Sequence, residues 1–523
     1  MIKRIVLVLA LALAPASASS QASPYLPIDD IAYKYVDALM SRGVLKNLSL
    51  LERPYPVARV RAAIDSIASF PANCDGSICS VTISGHRVIK SYLSALSTAI
   101  RRYELRNEND ARRAPFRAKA SFDFYATAQT SSLRELMLAD WKDDVKPGIA
   151  GYFVMGGGHL AASVRAILDN RLNTDPEFAG RKDRSIAGRA EDGYIGGQWK
   201  YAEAAFGRVA RSWGPIGFSG LQLGSDAYTY DHLYSRFGTD RIHLSTVIAK
   251  LDNYVLSPGV ESSRYFSTHR LAFKRGSWEG GLSESFLYSG VGRGLEFSLV
   301  NPFNVYALSW RNEKTDGNLS FGGDVAWHSR KMGNYSAQLL IDDIQIDRCD
   351  TVCHEPSSYG MTVSAEGIPA SGDQKLFASY TRVSNLAYHT PTVGERYAIY
   401  NVGLGRGFSD YDEVKAGLDL ALIPRTPLKL YAAYRRQGEG DYRLPYPDKA
   451  DYATTPGIFA GTVWKTARFG VSGAAMIGRD FELIGDAGVN RSVNRFHTPG
   501  LRDTNFEGRA RVVWVPRWLI PFD

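Results

Sequence analysis

The chain has 523 residues, 12% of them aromatic with 29 Tyr, and its 62 Lys+Arg against 54 Asp+Glu give a net charge of +8. That excess is spread without a basic run, which argues against nucleic-acid binding; it suits an acidic polysaccharide or a lipopolysaccharide surface, while any single charge reads first as serving solubility. Beyond the N-terminus no segment approaches the about 20 uncharged apolar residues of a membrane helix; the mean hydropathy of −0.21 and many aromatics fit a transmembrane barrel or a large soluble β-protein.

Lys3 and Arg4 precede an uninterrupted apolar run from Ile5 to Ala14, and small residues follow, with cleavage positions at Ala16-Ser17-Ala18 and Ser20-Gln21-Ala22. This order is that of a secretory signal peptide over residues 1–22, and its removal leaves a net charge of about +6. Residues 23–110 read as a small helical bundle. Tyr33, Val36, Leu39 and Met40 recur at helical spacing up to a stop at Gly43. Val57, Val60, Ile64 and Ile67 form a second stripe after Pro54-Tyr55-Pro56, and Val88, Tyr92, Leu96 and Ile100 a third, closing near Arg101, Arg102 and Tyr103. By position the bundle is expected on the periplasmic side, where an exported chain arrives.

The four cysteines form two close pairs, Cys74 with Cys79 and Cys349 with Cys353. In an exported protein such pairs read as local disulfides that pin loops. Zinc is the competing reading, but neighbouring His86 and His354 complete no familiar ligand pattern. No cofactor or metal is expected.

From Pro115 the period changes from 3.6 to 2 and stays so to the end. Phe116, Ala118, Ala120, Phe122, Phe124, Ala126 and Ala128 alternate with Arg117, Lys119, Ser121, Asp123, Tyr125, Thr127 and Gln129, longer than the usual globular strand of about 5–6 residues. The same device repeats between Arg264 and Asp343: Trp278, Leu282, Phe286 and Tyr288, then Leu319, Phe321, Val325 and Trp327, then Tyr335, Ala337, Leu339 and Ile341, each alternating with polar residues. Further examples are Val414 to Leu422, Leu428 to Tyr434, Phe481 to Val489 and Phe506 to Trp514. A sheet of such strands needs an apolar medium on one face and tolerates water on the other.

Connections are uneven: Lys274 to Ser277 and Pro424 to Pro427 are tight, whereas Asn170 to Asp192, Tyr388 to Tyr411 and Gly438 to Pro456 are long and polar. The fold class is therefore mainly β, an outer-membrane transmembrane β-barrel of about 18 antiparallel strands over residues 111–523, preceded by the small α-helical bundle. The aromatic C-terminal strand, with Phe522 one residue before the end, is expected to close against the first.

Candidate chemistry is sparse. Arg208, Arg211 and Trp213 offer cations and a stacking platform for a sugar; the same residues also read as a strand-end turn with an interfacial Trp. Asp342 and Asp343 point to opposite faces if the strand continues, so they read as a strand terminus, not a catalytic pair. His269 and His328 read as lumen residues, Gly156-Gly157-Gly158 as a hairpin turn, and Arg117, Lys119, Arg509 and Arg511 as part of a basic lumen. No catalytic set is found.

The chain resembles the Wzi-type capsule assembly proteins. The residues that carry this are Tyr25-Leu-Pro-Ile-Asp-Asp30, Leu39-Met-Ser-Arg-Gly43 and Leu50-Leu-Glu-Arg-Pro-Tyr55 in the bundle. In the barrel they are Arg211-Ser-Trp-Gly-Pro215, Leu221-Gln-Leu-Gly-Ser225, Ser267-Thr-His-Arg-Leu271, Glu284-Ser-Phe-Leu-Tyr288, Asn301-Pro302 and Leu339-Leu-Ile-Asp-Asp343. The resemblance implies a lectin-like, non-enzymatic protein in the outer membrane of a Gram-negative cell, its bundle in the periplasm. Its role would be to bind and anchor an exported capsular or exopolysaccharide. Expected partners are that polysaccharide, outer-membrane lipid and lipopolysaccharide, and an export partner reached through the bundle, with no nucleic acid. The rivals are a porin for small sugars or anions, which needs an open lumen, and an outer-membrane hydrolase, which needs a convergent Ser/His or Asp/His set.

Overall fold

The computed structural model describes residues 22–68, 87–105, 116–139, 144–313, 315–329, 331–343, 356–516 and 520–522. Residues 1–21 of the expected signal peptide (1–22) and all four cysteines, Cys74, Cys79, Cys349 and Cys353, lie outside the described residues.

Eighteen antiparallel strands close into one barrel. In chain order they begin with β1 (Arg117–Gln129), β2 (Asp144–Gly157), β3 (Leu160–Asp169), β4 (Gly188–Gln198), β5 (Ala202–Arg208) and β6 (Asp231–Gly238). There follow β7 (Ile242–Lys250), β8 (Val260–Arg275), β9 (Trp278–Gly290), β10 (Asn318–Ser329), β11 (Gly333–Asp343) and β12 (Ser358–Pro369). The last six are β13 (Lys375–Val383), β14 (Tyr411–Ile423), β15 (Thr426–Gln437), β16 (Trp464–Ile477), β17 (Phe481–Val493) and β18 (Arg502–Trp514). Closure runs through β18 on β1, from Phe124 opposite Trp514 to Gln129 opposite Arg509, and Ile520–Phe522 continues it against Ala118 to Ala120.

The alternation decides which face is which. On β1 the odd residues Ser121, Asp123, Tyr125, Thr127 and Gln129 are buried inside, while Phe122, Ala126 and Ala128 are exposed outside. Around the circumference Leu168, Phe206, Leu282, Val363 and Phe469 project outward and exposed, and Arg236, Gln338, Thr362 and Asn490 project inward and buried. A wall of exposed large apolar side chains over a polar interior is stable only in an apolar surrounding.

The tight turns share one rim: Gly157 to Leu160, Arg275 to Trp278 and Ile423 to Thr426 join strands there. Gly158 makes the first possible at φ +56°, the hairpin read from the triple glycine. The long connections, 208–231, 290–318, 383–411 and 437–464 among them, share the other rim.

The N-terminal segment forms α1 (Ala32–Met40), α2 (Val57–Ala68) and α3 (Arg87–Ile100). Gly43, at φ +74°, ends the α1 turn. Tyr92, Leu96 and Ile100 of α3 are fully buried with Tyr35, Val36 and Leu39 of α1; each such burial stabilises by about 1.5–3 kcal/mol.

This bundle seats in the tight-turn rim. Tyr35 Oη donates to Arg425 O (2.7 Å), Asn334 Nδ2 donates to Met40 O (3.1 Å), and Arg42 pairs with Asp419 (2.9 Å). Deeper in, Arg102 pairs with Asp123 (2.5 Å) and with Glu482, and Arg270 pairs with Asp324 (2.5 Å) and with Glu52. No helix among the described residues is long and apolar enough to cross a membrane.

Candidate functional site

Two long loops turn inward and pack inside the barrel. The β5–β6 connection places its backbone at mid-height: Gln338, inward on β11, donates from Nε2 to Trp213 O (2.6 Å) and accepts from Leu221 N at Oε1 (2.9 Å). Lower still, Ser212 and Trp213 pair as a short strand with Glu52 and Arg53 of the N-terminal segment, and Gly214 N donates to Leu51 O (2.9 Å). This loop therefore runs from the long-loop rim down to the bundle.

The β13–β14 connection locks onto it. Tyr388 Oη donates to Leu221 O (2.7 Å), Tyr397 Oη to Gln222 O (2.6 Å), and Gly224 N to Leu404 O (2.7 Å). Tyr388 and Tyr397 are fully buried with their rings stacked at 5.7 Å. The two backbones touch at glycines, since a Cβ on Gly405 would lie 2.0 Å from Leu221 O and one on Gly224 2.0 Å from Gly405 O. The bundle below and these loops above meet within the lumen around a tyrosine-rich core.

One plug segment carries a titratable group near neutrality. Glu395, in the turn Val393–Glu395, is buried beside Ser289, and burial raises its carboxyl to about 7 despite Arg293 nearby. Arg264 clamps the same segment, donating from Nε to Gly394 O (2.5 Å) and from Nη2 to Arg396 O (2.7 Å) and Ala398 O (2.8 Å). A carboxyl raised from an ordinary value near 4.5 stabilises this seat fully below that value and loses its contribution as pH rises through about 7. Hydrogen exchange of residues 393–399, corrected for intrinsic rates, is expected to accelerate across that window and Glu395→Gln to flatten the rise; a flat wild-type profile would contradict it.

Above the plug, at the long-loop rim, lies a cleft of about 340 Å³ lined by Arg134, Glu135, Glu177, Phe218, Asp226, Arg406, Phe408, Tyr411, Glu413 and Arg435. A second chamber of about 420 Å³ shares Arg134 and Ser225 with it and ends on Ile28 and Asp29 of the N-terminal segment. Guanidiniums lie over rings throughout: Arg435 over Tyr411 (4.0 Å) and Phe408 (5.1 Å), Arg406 over Phe218 (5.6 Å). Tyr228 lies between Arg134 (4.0 Å) and Arg189 (4.4 Å). Such stacking fixes the planar groups and leaves their edges for hydrogen bonding.

Arg435 is nearly buried, yet its contacts to Glu135 (3.4 Å) and Glu413 (3.5 Å) are long, and its Nε and that of Arg406 have no hydrogen-bond partner among the described residues. The cleft thus sets stacked guanidinium groups on its floor against carboxylate acceptors on its walls. Four carboxylates face three guanidiniums there, so the net positive charge of the chain is not concentrated in it. Rings, donors and acceptors in this mixture suit a hydroxyl-rich ligand such as a saccharide.

Of the residues singled out in the sequence, Arg208 stays near the surface and pairs with Asp231 (2.9 Å). Arg211 is buried between the rings of Tyr25 (4.8 Å) and Tyr234 (3.5 Å) and donates from Nε to His232 Nε2 (3.0 Å). Trp213 is buried in the plug. The structure does not bring these three into one surface platform. Asp342 accepts from Tyr388 N (2.6 Å) at the end of β11, as a strand terminus would. Arg509 and Arg511 do point into the lumen, Arg511 over Tyr125 (3.9 Å). His269 is a correction: it faces outward, because β8 puts Phe266 and Arg270 inside and Tyr265, His269 and Leu271 outside.

No protein-family model and no curated protein matches the chain. Among solved structures, Wzi of Escherichia coli, described as an outer-membrane protein involved in group 1 capsule assembly and a carbohydrate-binding β-barrel, superposes with a TM-score of 0.58. The identity is 14%, over 96% of this chain and 100% of that one. OprD of Pseudomonas aeruginosa reaches 0.42 at 10% identity over 80% of this chain and 98% of its own, and OccK1 of the same organism 0.44 at 12% over 78% and 99%. The fold is that of the Wzi barrel along nearly its whole length, in agreement with the resemblance carried by the sequence motifs.

Proposed function

We propose that this chain is an outer-membrane protein of a Gram-negative envelope that binds an exported capsular or exopolysaccharide at its long-loop rim and anchors it to the cell. The bundle then faces the periplasm. The observation that supports this reading best is the combination of two interlocked loops inside the lumen with a cleft above them in which stacked arginines and rings face carboxylates. Loops that interlock inside the lumen speak against a wide porin channel. The cleft contains no histidine or cysteine among its described lining residues, so it offers no Ser/His, Asp/His or Cys/His set.

Two measurements on the purified protein test the proposal. In planar bilayers it is expected to give no stable conductance, whereas Gly405→Val, which drives a side chain into Leu221 O, is expected to give flickering openings. Immobilised wild-type protein is expected to retain surface polysaccharide from its own strain. Steady wild-type channels with no retention would overturn the proposal in favour of a porin.

A further inference from the structure

The connection between β9 and β10 does not join the plug. It folds back over the outside of the barrel as two short helices, α4 (Phe297–Val300) and α5 (Tyr306–Asn312). Leu299 and Tyr306, both fully buried, pack on the outward residues Tyr265, Phe286, Tyr288 and Leu319. This explains why Phe286 and Tyr288 are covered while Leu282 and Trp278, on the same face of β9, are exposed.

Beneath the flap is a polar pair on the apolar side of the wall. His269 Nε2 lies 3.4 Å from Glu284 Oε2, the Tyr306 ring covers His269 at 4.5 Å, and Tyr306 N donates to Glu284 (2.8 Å). The flap's other side carries large exposed apolar residues: Phe297 is 89% and Phe303 72% exposed, with Leu295, Val305, Leu308 and Trp310 exposed beside them, and polar Asn301, Arg311, Asn312 and Glu313 exposed at its turns and end. Phe303 also approaches the outward ring of Phe237 on β6 (6.3 Å), so the patch is continuous with the barrel's apolar wall. The flap also satisfies much of its own backbone, as a segment in contact with lipid must. Leu299 N and Val300 N donate to Glu296 O (3.0 Å), Phe303 N to Asn301 Oδ1 (3.1 Å), and Glu296 N to Tyr288 Oη (3.3 Å).

We propose that this flap is a membrane-interface element: Phe297, Phe303, Leu308 and Trp310 insert among the acyl chains of the surrounding lipid, and Tyr306 seals the His269–Glu284 pair from them. Six large apolar residues so close together in water would be costly, and their continuity with the wall fixes lipid as the occupant. The inference rests on the membrane reading of the barrel, and its test separates the two.

Nitroxide labels at Phe297→Cys and, separately, Phe303→Cys, in protein whose native cysteines are changed to Ser, are to be measured in phosphatidylcholine vesicles with oxygen and a nickel chelate as relaxation agents. Leu282→Cys on the wall and Lys449→Cys on an exposed loop are the references. The flap labels are expected to match Leu282→Cys, with high oxygen access and nickel access several-fold below Lys449→Cys. Nickel access equal to that of Lys449→Cys would overturn the flap proposal while leaving the barrel reading intact. Low access to both agents with dipolar broadening would overturn it in favour of a second copy. Nickel access at Leu282→Cys itself would sink the membrane reading.

Discussion

Arg435→Lys is expected to lower retention of the surface polysaccharide roughly tenfold or more while leaving the barrel folded. A hydrogen bond to a charged donor contributes about 1.5–3 kcal/mol, and about 1.4 kcal/mol is a factor of ten in binding. Lysine keeps the charge but loses the planar fork that stacks on Tyr411 at the cleft's edge. A purely structural role for Arg435 is distinguished by its neighbours: its contact to Gln437 Oε1 (2.8 Å) can be made by an ammonium, so folding, read as heat-modifiable migration, is expected to be unchanged. Unchanged retention by this variant would remove the cleft from the binding site. Equal loss of folding and retention would make Arg435 a scaffold residue.

Arg102→Ala is expected to release the helical bundle. Arg102 lies between Asp123 and Glu482 on the barrel's inner wall, with Asp30 of the N-terminal segment 3.9 Å away, and all of these groups are nearly buried. Removing the cation leaves uncompensated buried carboxylates, at a cost of about 3–5 kcal/mol. The strands of the barrel hold one another, so the loss falls on the seat of the bundle. Limited proteolysis is expected to cut within residues 23–105 of the variant and to leave the barrel as a resistant band. Combining Arg102→Met with Asp123→Leu and Glu482→Leu is expected to restore protection, because replacing a whole buried ion cluster by apolar groups is often neutral. Wild-type resistance in the single variant would show that other contacts, such as Arg42 with Asp419, suffice.

How far each feature could be read from the sequence depends on the distance over which it is written. Barrel strands are local: the alternation at Phe122, Phe124 and Ala126 names both the strand and its outward face, and helical stripes such as Tyr92, Leu96 and Ile100 name the bundle's core. Observed strands extend beyond the alternating stretches, as β14 (Tyr411–Ile423) does beyond Val414 to Leu422, because hydrogen bonding continues into polar rim residues. The plug is not local. Tyr388 meets Leu221 across 167 positions and Tyr397 meets Gln222 across 175, and nothing in a long polar loop says that it turns inward.

The same limit explains the site residues. Arg211 and Trp213 sit beside each other in sequence and look like a platform, but the loop that carries them runs into the barrel, where both are buried. The cleft residues Arg134, Arg406, Tyr411 and Arg435 come from separate connections and strand ends, and only Gly405-Arg406-Gly407-Phe408, a cation and a ring between glycines, carries a local hint of it. A polar residue on an alternating strand ordinarily faces water, which by sequence alone puts His269 in the lumen. The flap that lets it face outward contributes Tyr306 from a different connection.

The most direct test of the anchoring role is deletion of the gene followed by assay of polysaccharide in the cell-bound and culture-medium fractions. The expected result is unchanged total polymer that moves from cell to medium, with the cell-bound fraction restored by the wild-type gene and less so by Arg435→Lys. If both fractions stay as in the parent strain, the protein does not anchor the polymer, and the closed barrel must serve another ligand.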